Sequence, residues 1–337
     1  MDALLQVNNL SLSIGSGKRR GTVVRNLNLM LNPGERLGLV GESGSGKSLT
    51  ALAIMGLLSE AVEVEAGEIH LMGNDLLKLD ARAMRHVRGK DISMIFQEPL
   101  TALNPVMKVG DQISEILLEH NEISAQDARE EAIRLLDSVG IRQPTESYRR
   151  YPHEFSGGMR QRVMIAMAVA CRPRLLIADE PTTALDVTVQ AQIIQLLDRL
   201  QQDTGVAILL ISHNLALVGS FCNRIAVMHA GDVVETGKCH DVLVHPCHPT
   251  QRLYWAACLR NWTISGETPC SMKLPARSPR LPIWCQGAVL LSDARRHSPA
   301  APTSCPGCAT TPIDRNPHGI ASSRHRDTQH LPHVGRG

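Results

Sequence analysis

The chain has 337 residues, and its 35 Lys and Arg against 33 Asp and Glu give a formal net charge of +2. This balance argues against a dedicated nucleic-acid binder, which carries a marked basic excess, and aromatic residues, at 3% of the chain, offer few rings on which bases would stack. No apolar run approaches the roughly 18 residues that span a bilayer, and the first residues lack the basic start and apolar core of a secretion signal. We therefore expect a cytosolic protein of two or more domains with no nucleic-acid partner.

The hydropathy pattern predicts an α/β protein. Apolar and polar residues alternate over 4–12 and 23–31, as in half-exposed antiparallel strands. Beyond them, short apolar runs typical of buried strands alternate with helical patterns, which predicts a mainly parallel sheet covered on both faces. The other predicted strands are 36–40, 66–73, 91–96, 175–180 and 206–211, with a hairpin at 224–236. The predicted helices are 49–58, 109–120, 124–139, 155–171 and 187–201.

Two features of these helices refine the domain organisation. Residues 99–155 carry no strand pattern, so we expect an all-helical insert within the α/β domain. Ser124 and Asp186 stand directly before two of the helical patterns and are the expected N-caps, because their side chains can accept from free N–H groups of the first turn.

A glycine-rich loop at residues 41–48 lies between a predicted strand and a predicted helix. It fits the spacing G-x-x-x-x-G-K-[ST], in which backbone N–H groups converge on phosphate oxygens at a helix N-terminus. Lys47 is placed to reach the β- and γ-phosphates and Ser48 to ligate Mg²⁺, so the loop predicts a nucleoside triphosphate and Mg²⁺. A chance match is disfavoured by the flanking elements. The predicted nucleotide-binding residues of this loop are Gly41, Glu42, Ser43, Gly44, Ser45, Gly46, Lys47, Ser48 and Leu49.

Two adjacent carboxylates, Asp179 and Glu180, end a predicted buried strand. Opposite a phosphate loop, such a strand places Asp179 near the Mg²⁺, usually through a water molecule. Glu180 is then positioned to polarise an attacking water as general base. Either acid alone would more often be a strand-end carboxylate that caps a helix. The adjacent pair downstream of a phosphate loop favours the catalytic interpretation.

Gln97 and His213 also follow predicted strands. The Gln97 amide is a candidate ligand for Mg²⁺ or for the attacking water, and in that position it would sense movement of the insert. The alternative is an ordinary polar residue at a strand end. A lone His at a strand end is more often a structural hydrogen-bonder. Following the acidic pair, however, His213 is predicted to contact the γ-phosphate and to hold Glu180 and the water in register.

A second anion site is predicted at Ser156, Gly157 and Gly158, which open a helix. One nucleotide does not need two separate γ-phosphate cradles on one chain. The economical explanation is that this second site serves a nucleotide held by another subunit. We therefore predict a head-to-tail dimer with ATP sandwiched at the interface.

These motifs, in this order, resemble those of the nucleotide-binding subunit of an ABC transporter. The resemblance covers about residues 4–248 and includes an Ala-Leu-Asp motif that ends at Asp186. It implies that Asp186 is a further residue of the nucleotide site. It implies ATP hydrolysis by a P-loop NTPase fold, the ABC-type nucleotide-binding domain. This domain would comprise residues 1–250, with an antiparallel β subdomain and the helical insert at about 99–155. An irregular C-terminal tail would follow over 251–337.

Residues 40–48, 94–105 and 186–192 are more narrowly similar to the peptide and nickel importer branch. That branch implies an ATPase at the cytoplasmic face of the bacterial inner membrane, driving uptake of di- or oligopeptides, with nickel as the alternative. The implied partners are a second ATPase subunit (a paralogue or an identical copy), two membrane permease subunits docked on the insert, and a periplasmic or lipid-anchored solute-binding protein. An assembly-defective remnant, a soluble ABC ATPase and an exporter are further alternatives.

The chain departs from the family pattern in three places. Phe155 stands where Leu is usual, which keeps an apolar contact. Ile14 occupies the region where an aromatic residue often stacks on adenine, so weaker or less base-selective nucleotide binding is expected. Beyond about residue 259 the sequence matches nothing in the branch, and the tail is either a lineage-specific disordered segment or the product of a reading-frame shift near residues 250–260.

Overall fold

A computed structural model describes residues 3–15, 20–183 and 185–244. The predictions for residues 16–19, for Ala184 and for the tail, irregular or frame-shifted, lie outside the described residues. The strands are β1 Leu5–Ile14, β2 Gly21–Leu31, β3 Arg36–Gly41, β4 Val62–Leu71, β5 Asn74–Asp75, β6 Ile92–Ile95, β7 Leu175–Asp179, β8 Ala207–Ser212, β9 Arg224–His229 and β10 Asp232–Lys238. The helices are α1 Lys47–Ile54, α2 Ala81–Val87, α3 Pro99–Ala102, α4 Val109–His120, α5 Ala125–Ser138, α6 Pro144–Ser147, α7 Gly157–Val169, α8 Val187–Thr204, α9 Leu215–Phe221 and α10 Cys239–Val244.

The described strands form two sheets. The first is antiparallel, with the order β2-β1-β4-β5, and the second has the order β10-β9-β3-β8-β7-β6. In the second sheet β9, β3, β8, β7 and β6 run parallel, and only β10 is antiparallel, to β9. The predicted α/β class, with a mainly parallel sheet and a separate antiparallel sheet, is confirmed.

The parallel sheet is buried on both faces, and its central strand shows why. All six residues of β8 are buried. Ile208 and Leu210 belong to an apolar cluster shared with α4, α5, α7, α8 and α9, whereas Leu209 and Ile211 belong to a cluster shared with the antiparallel sheet and α1. Each such side chain contributes about 1.5–3 kcal/mol when removed from water, so the strand ends that carry polar residues are held in place from both sides.

Between residues 99 and 155 the described chain contains helices and no strand, as expected for the insert. The Ser124 side chain caps α5 by accepting from the Asp127 N–H at 3.1 Å, which confirms the predicted cap. The Tyr148 ring lies directly on α4 at Gly110, where a Cβ would come 2.1 Å from the ring carbons. Its hydroxyl forms a buried hydrogen bond of 3.0 Å with Ser114. The contacts at Gly110 and Ser114 together fix the position of the N-terminal half of α4.

The structure corrects several predicted boundaries. The helix predicted at 49–58 ends at Ile54, because Gly56 adopts a left-handed conformation (φ 63°) that stops a helix. The strand predicted at 66–73 begins at Val62, which pairs with Ile14 of β1, and runs through a left-handed Gly67 (φ 107°) whose absent Cβ lets the Leu10 backbone approach. The short helices α2, α3, α6, α9 and α10 were not predicted.

Across the three described ranges, no helix combines the length and the apolar character that crossing a membrane requires.

Candidate active site

The phosphate loop joins β3, at the centre of the parallel sheet, to α1. Gly44 (φ 79°) and Gly46 (φ 101°) adopt left-handed conformations, and Gly46 is the N-cap of α1. Only glycine adopts such angles freely. A Cβ on Gly41 would lie 2.1 Å from the Met228 carbonyl oxygen of β9, so this glycine is required by close packing rather than by its dihedral angles.

This contact predicts that Gly41→Ala lowers the free energy of unfolding by about 1–3 kcal/mol, because the methyl group must push β9 away from the loop. Urea unfolding of the full chain measures the change. Gly21→Ala is the matched control, since a Cβ at Gly21 meets nothing within 4 Å, and its effect should stay within about 0.5 kcal/mol. Equal stability of the two variants would contradict the packing argument.

Lys47 is the cation of the loop. Its side chain is buried, and Nζ donates to the carbonyl oxygens of Gly41 at 3.0 Å and Glu42 at 2.8 Å. Burial lowers the pKa of Lys47, against the opposing charges of Glu180, Asp179 and Glu42. The ammonium group is thus held at the mouth of the loop, next to the carboxylates that end β7.

Ser48, the second residue of α1, meets Asp179, the last residue of β7. The Ser48 hydroxyl donates to Asp179 Oδ1 at 3.1 Å. Burial raises the pKa of Asp179, partly offset by the Ser48 hydrogen bond and further raised by the charge of Glu180. Hydroxyl and carboxylate oxygens are the ligands that Mg²⁺ prefers, and a cation would stabilise the buried carboxylate, so these two residues fit a magnesium ion.

Glu180 lies at the centre of a hydrogen-bonded cluster. Its Oε2 accepts from Gln97 Nε2 at 3.2 Å and from the Thr183 hydroxyl at 2.9 Å, and its Oε1 lies 3.0 Å from His213 Nδ1. Burial opposes its charge, but the hydrogen bonds from His213 and Thr183 and the charges of His213 and Lys47 outweigh burial and lower the pKa of Glu180. The carboxylate is therefore ionised near neutral pH, as an acceptor of protons must be.

The backbone of Glu180 is also unusual. Its φ of 46° is in the left-handed region, which is strained for a residue with a Cβ. A hydrogen bond of 2.9 Å from its N–H to the Ile211 carbonyl oxygen of β8 holds this conformation. The carboxylate is thus presented by a segment that is tied to the parallel sheet.

Ser156, predicted at the second anion site, and Asp186 cap two further helices. The first turn of α8 is joined to the turn after Glu180, because Gln190 Nε2 donates to the Thr182 carbonyl oxygen at 3.2 Å. Ser156 caps α7 and accepts from the Met159 N–H at 3.4 Å. Asp186 caps α8, as predicted, and accepts from the Val189 N–H at 2.9 Å. The two helix starts pack together, because a Cβ on Gly158 would lie 2.8 Å from a Val189 methyl group.

The structure thus places several of the predicted site residues in two adjacent groups. Gln97, Glu180 and His213 meet in one hydrogen-bonded cluster beside Lys47, and Ser48 bonds Asp179 next to it. Thr183 was missed, although a proline after Glu180 and a threonine at the fourth position of the same turn are a recognisable signal. Ile14, the predicted contact for the base, is 43% exposed at the end of β1.

The site combines a phosphate loop at the centre of a parallel sheet, a Ser–Asp pair beside its lysine, and an ionised glutamate with three hydrogen-bond donors. These are the groups that the site of a P-loop nucleotide-hydrolysing protein requires.

The comparisons with known proteins define the family. Residues 24–183 match the ABC transporter family. The chain is 46% identical over 288 residues to the oligopeptide transport ATP-binding protein OppD of Salmonella typhimurium, covering 83% of this chain and 86% of that protein. It is 48% identical over 250 residues to the dipeptide transport ATP-binding protein DppD of Bacillus subtilis, covering 74% and 75%.

A solved dimeric ATP-binding cassette in a post-hydrolysis state with ADP and phosphate has 26% identity and a TM-score of 0.63, covering 70% of this chain and 98% of that one. The chain therefore belongs to the family of ABC transporter ATP-binding proteins, and it binds nucleotide and hydrolyses ATP. The resemblance found in the sequence is confirmed.

Proposed function

We propose that this ATPase drives the uptake of di- and oligopeptides. The observation that carries the proposal is the 46–48% identity, over about three quarters or more of each chain, to proteins named for oligopeptide and dipeptide transport. These names favour peptides over the nickel alternative. ABC ATPases with more distant sequences share the fold without sharing the solute, so the proposal rests on the relatives and not on the site.

The site residues have the following proposed roles. Backbone N–H groups of residues 41–48 and the Lys47 ammonium bind the β- and γ-phosphates. Ser48 and Asp179 would hold Mg²⁺, with Gln97 as a further ligand, and the ion would neutralise charge on the phosphate oxygens. Glu180 accepts a proton from the attacking water, and His213 contacts the γ-phosphate while its Nδ1 holds the carboxylate.

The proposed assembly is a head-to-tail pair of ATPase subunits. In it, Ser156, Gly157, Gly158 and Asp186 of one subunit complete the site that holds the other subunit's ATP. Two observations support this arrangement: among the described hydrogen bonds, the Ser156 and Asp186 side chains bond the starts of their own helices and not Glu180 or Lys47, and the solved relative is dimeric. The N-terminus of α7, which is 13 residues long, offers N–H groups to an anion.

This arrangement predicts that Ser156→Arg leaves ATP affinity unchanged but lowers turnover by about a hundredfold or more. The arginine would fill the cradle for the partner's γ-phosphate, and losing one preorganised donor already costs about 10²–10³ in kcat. Titration with a fluorescent ATP analogue and a phosphate-release assay separate the two effects. Ser138→Arg, at the exposed C-terminal end of α5, is the control for adding an arginine. A Ser156→Arg variant that loses ATP binding would contradict the proposed trans site.

The proposed partners follow from the same relatives. They are a second ATPase subunit, a paralogue or an identical copy, two membrane permease subunits that dock on the insert at residues 99–155, and a periplasmic or lipid-anchored solute-binding protein. The chain would accordingly lie at the cytoplasmic face of the inner membrane as a peripheral subunit.

Affinity purification of the tagged chain from native membranes, followed by mass spectrometry, tests this proposal. Recovery of two membrane subunits, a second ATPase or a second copy, and peptide-stimulated ATP hydrolysis after adding the solute-binding protein would support it. Recovery of the chain without membrane subunits would contradict it. Stimulation of ATP hydrolysis by nickel rather than by peptides would support the role as a transporter ATPase but contradict peptides as the solute.

A further inference from the structure

A hydroxyl group that has no part in the mechanism above contacts the carboxylate of Glu180. Thr183 Oγ1 donates to Glu180 Oε2 at 2.9 Å, the same oxygen that accepts from Gln97 Nε2 at 3.2 Å. The other oxygen, Oε1, lies 3.0 Å from His213 Nδ1. Donors on both oxygens fix the rotation of the carboxylate about its last bond, and hydrogen bonds to an ionised acceptor are about twice as strong as neutral ones.

The three donors reach Glu180 from different parts of the fold. Gln97 follows β6 at the entrance to the helical insert, and His213 follows the end of β8. Thr183 belongs to the segment of Glu180 itself, because its N–H donates to the Glu180 carbonyl oxygen at 3.1 Å and closes a four-residue turn. Pro181 occupies the second position of this turn, where a proline presets the backbone angle.

This turn is anchored to the parallel sheet. The Glu180 N–H bonds to the Ile211 carbonyl oxygen of β8 at 2.9 Å, and Thr183 is only partly exposed. The hydroxyl therefore keeps its position relative to the carboxylate even when the insert, and Gln97 with it, is displaced. Gln97 differs in this respect, because it follows β6 at the entrance to the insert and lies 83 residues from Glu180 along the chain. His213 follows β8, the strand to which the turn is anchored.

We propose that Thr183 is a positioning residue for hydrolysis: its hydroxyl holds the Glu180 carboxylate in the orientation in which it accepts a proton from the attacking water. The inference rests on the proposed role of Glu180 as the base. It assigns to the Thr183 hydroxyl a task in the rate of the chemical step and none in the affinity for ATP, because within the part of the chain that the structure describes this hydroxyl donates to the base and to no residue of the phosphate loop.

The test compares Thr183→Val, which replaces the hydroxyl by a methyl group of nearly the same volume, with Thr183→Ser, which keeps the hydroxyl. Both are measured in the tagged full chain purified from native membranes, by single-turnover ATP hydrolysis and by ATP titration. Thr183→Val should lower the hydrolysis rate about tenfold with an unchanged Kd for ATP. Thr183→Ser should restore the rate to within about threefold of the wild type.

Thr22→Val is the matched control, because it makes the same chemical change at an exposed position of β2. Its rate should stay within about twofold of the wild type. A Thr183→Val rate equal to that of the wild type would overturn the inference, and so would a Thr183→Ser variant that hydrolyses ATP no faster than Thr183→Val.

A second background separates positioning from folding. When Glu180→Gln is already present, Thr183→Val should cause no further loss, because the base on which it acts is gone. A further tenfold loss in that background would show that Thr183 acts on the fold as a whole, which would overturn the inference. If the Glu180→Gln single variant hydrolyses ATP at the wild-type rate, the assignment of Glu180 as the base fails. This outcome is distinguishable from failure of the Thr183 inference, because it is measured in a variant that keeps Thr183.

Discussion

Glu180→Gln is expected to hydrolyse ATP about 10²–10⁴-fold more slowly than the wild type while it still binds ATP, because a positioned general base contributes a factor of this size. The amide keeps the volume of the side chain and can still accept a hydrogen bond from Gln97 or Thr183, but it cannot take a proton from water. The negative charge of Glu180 acts on Lys47, and its removal should not weaken the binding of a phosphate to that lysine, since a carboxylate repels a phosphate.

Three measurements separate these effects: the Kd for ATP, the rate of phosphate release, and the mass of the complex in ATP by light scattering. The variant should accumulate as an ATP-bound pair of ATPase subunits that does not reset. Glu60→Gln, a change of the same kind at an exposed position, is the control and should hydrolyse ATP normally. Phosphate release by Glu180→Gln at the wild-type rate would eliminate Glu180 as the base.

Lys47→Ala is expected to weaken ATP binding by about 10- to 100-fold. A hydrogen bond to a charged group is worth about 1.5–3 kcal/mol, and the phosphates of ATP lose their cation when the ammonium group is removed. The present contacts of Nζ with the Gly41 and Glu42 carbonyl oxygens show that the side chain is long enough to lie over the loop. Turnover falls with the binding, because little ATP occupies the site.

Calorimetric titration of ATP measures the loss, and thermal unfolding without nucleotide shows whether the loop remains folded. Lys78→Ala is the matched control, because Lys78 is 75% exposed in its surface ion pair with Asp75, and it should bind ATP normally. The ligand should also raise the melting temperature of the wild type but not of Lys47→Ala, since a ligand stabilises only the state that binds it. Wild-type affinity in Lys47→Ala would exclude Lys47 as the phosphate cation.

The sequence by itself determined the features that depend on residues close together in the chain. The strand, glycine loop and helix around Lys47 follow one another without interruption, and the Ser124 and Asp186 caps are formed with N–H groups three residues away. Apolar periodicity was enough to predict the α/β class and the helical insert, because a strand or helix must bury its apolar face wherever it is packed. The family followed from the order of the motifs.

Some local features were nevertheless missed. The end of α1 depends on the left-handed conformation of Gly56. A glycine inside a helical pattern does not by itself predict that the helix ends there. The start of β4 depends on its pairing with β1, from Val62 opposite Ile14. Helices as short as α2 and α9, of seven residues each, have too few turns for a clear period.

Only the tertiary structure decided which hydrogen bonds join the polar side chains of the site. Ser48 and Asp179 are 131 residues apart and Gln97 and Glu180 are 83 apart, yet each pair is joined by a hydrogen bond. These contacts follow from the strand order β3-β8-β7-β6, which brings the carboxyl ends of distant strands to one edge of the sheet. Strand order is set by packing and connection over the whole domain, not by neighbouring residues. The sequence therefore predicted which groups carry the chemistry of the site, but not the hydrogen bonds that join them.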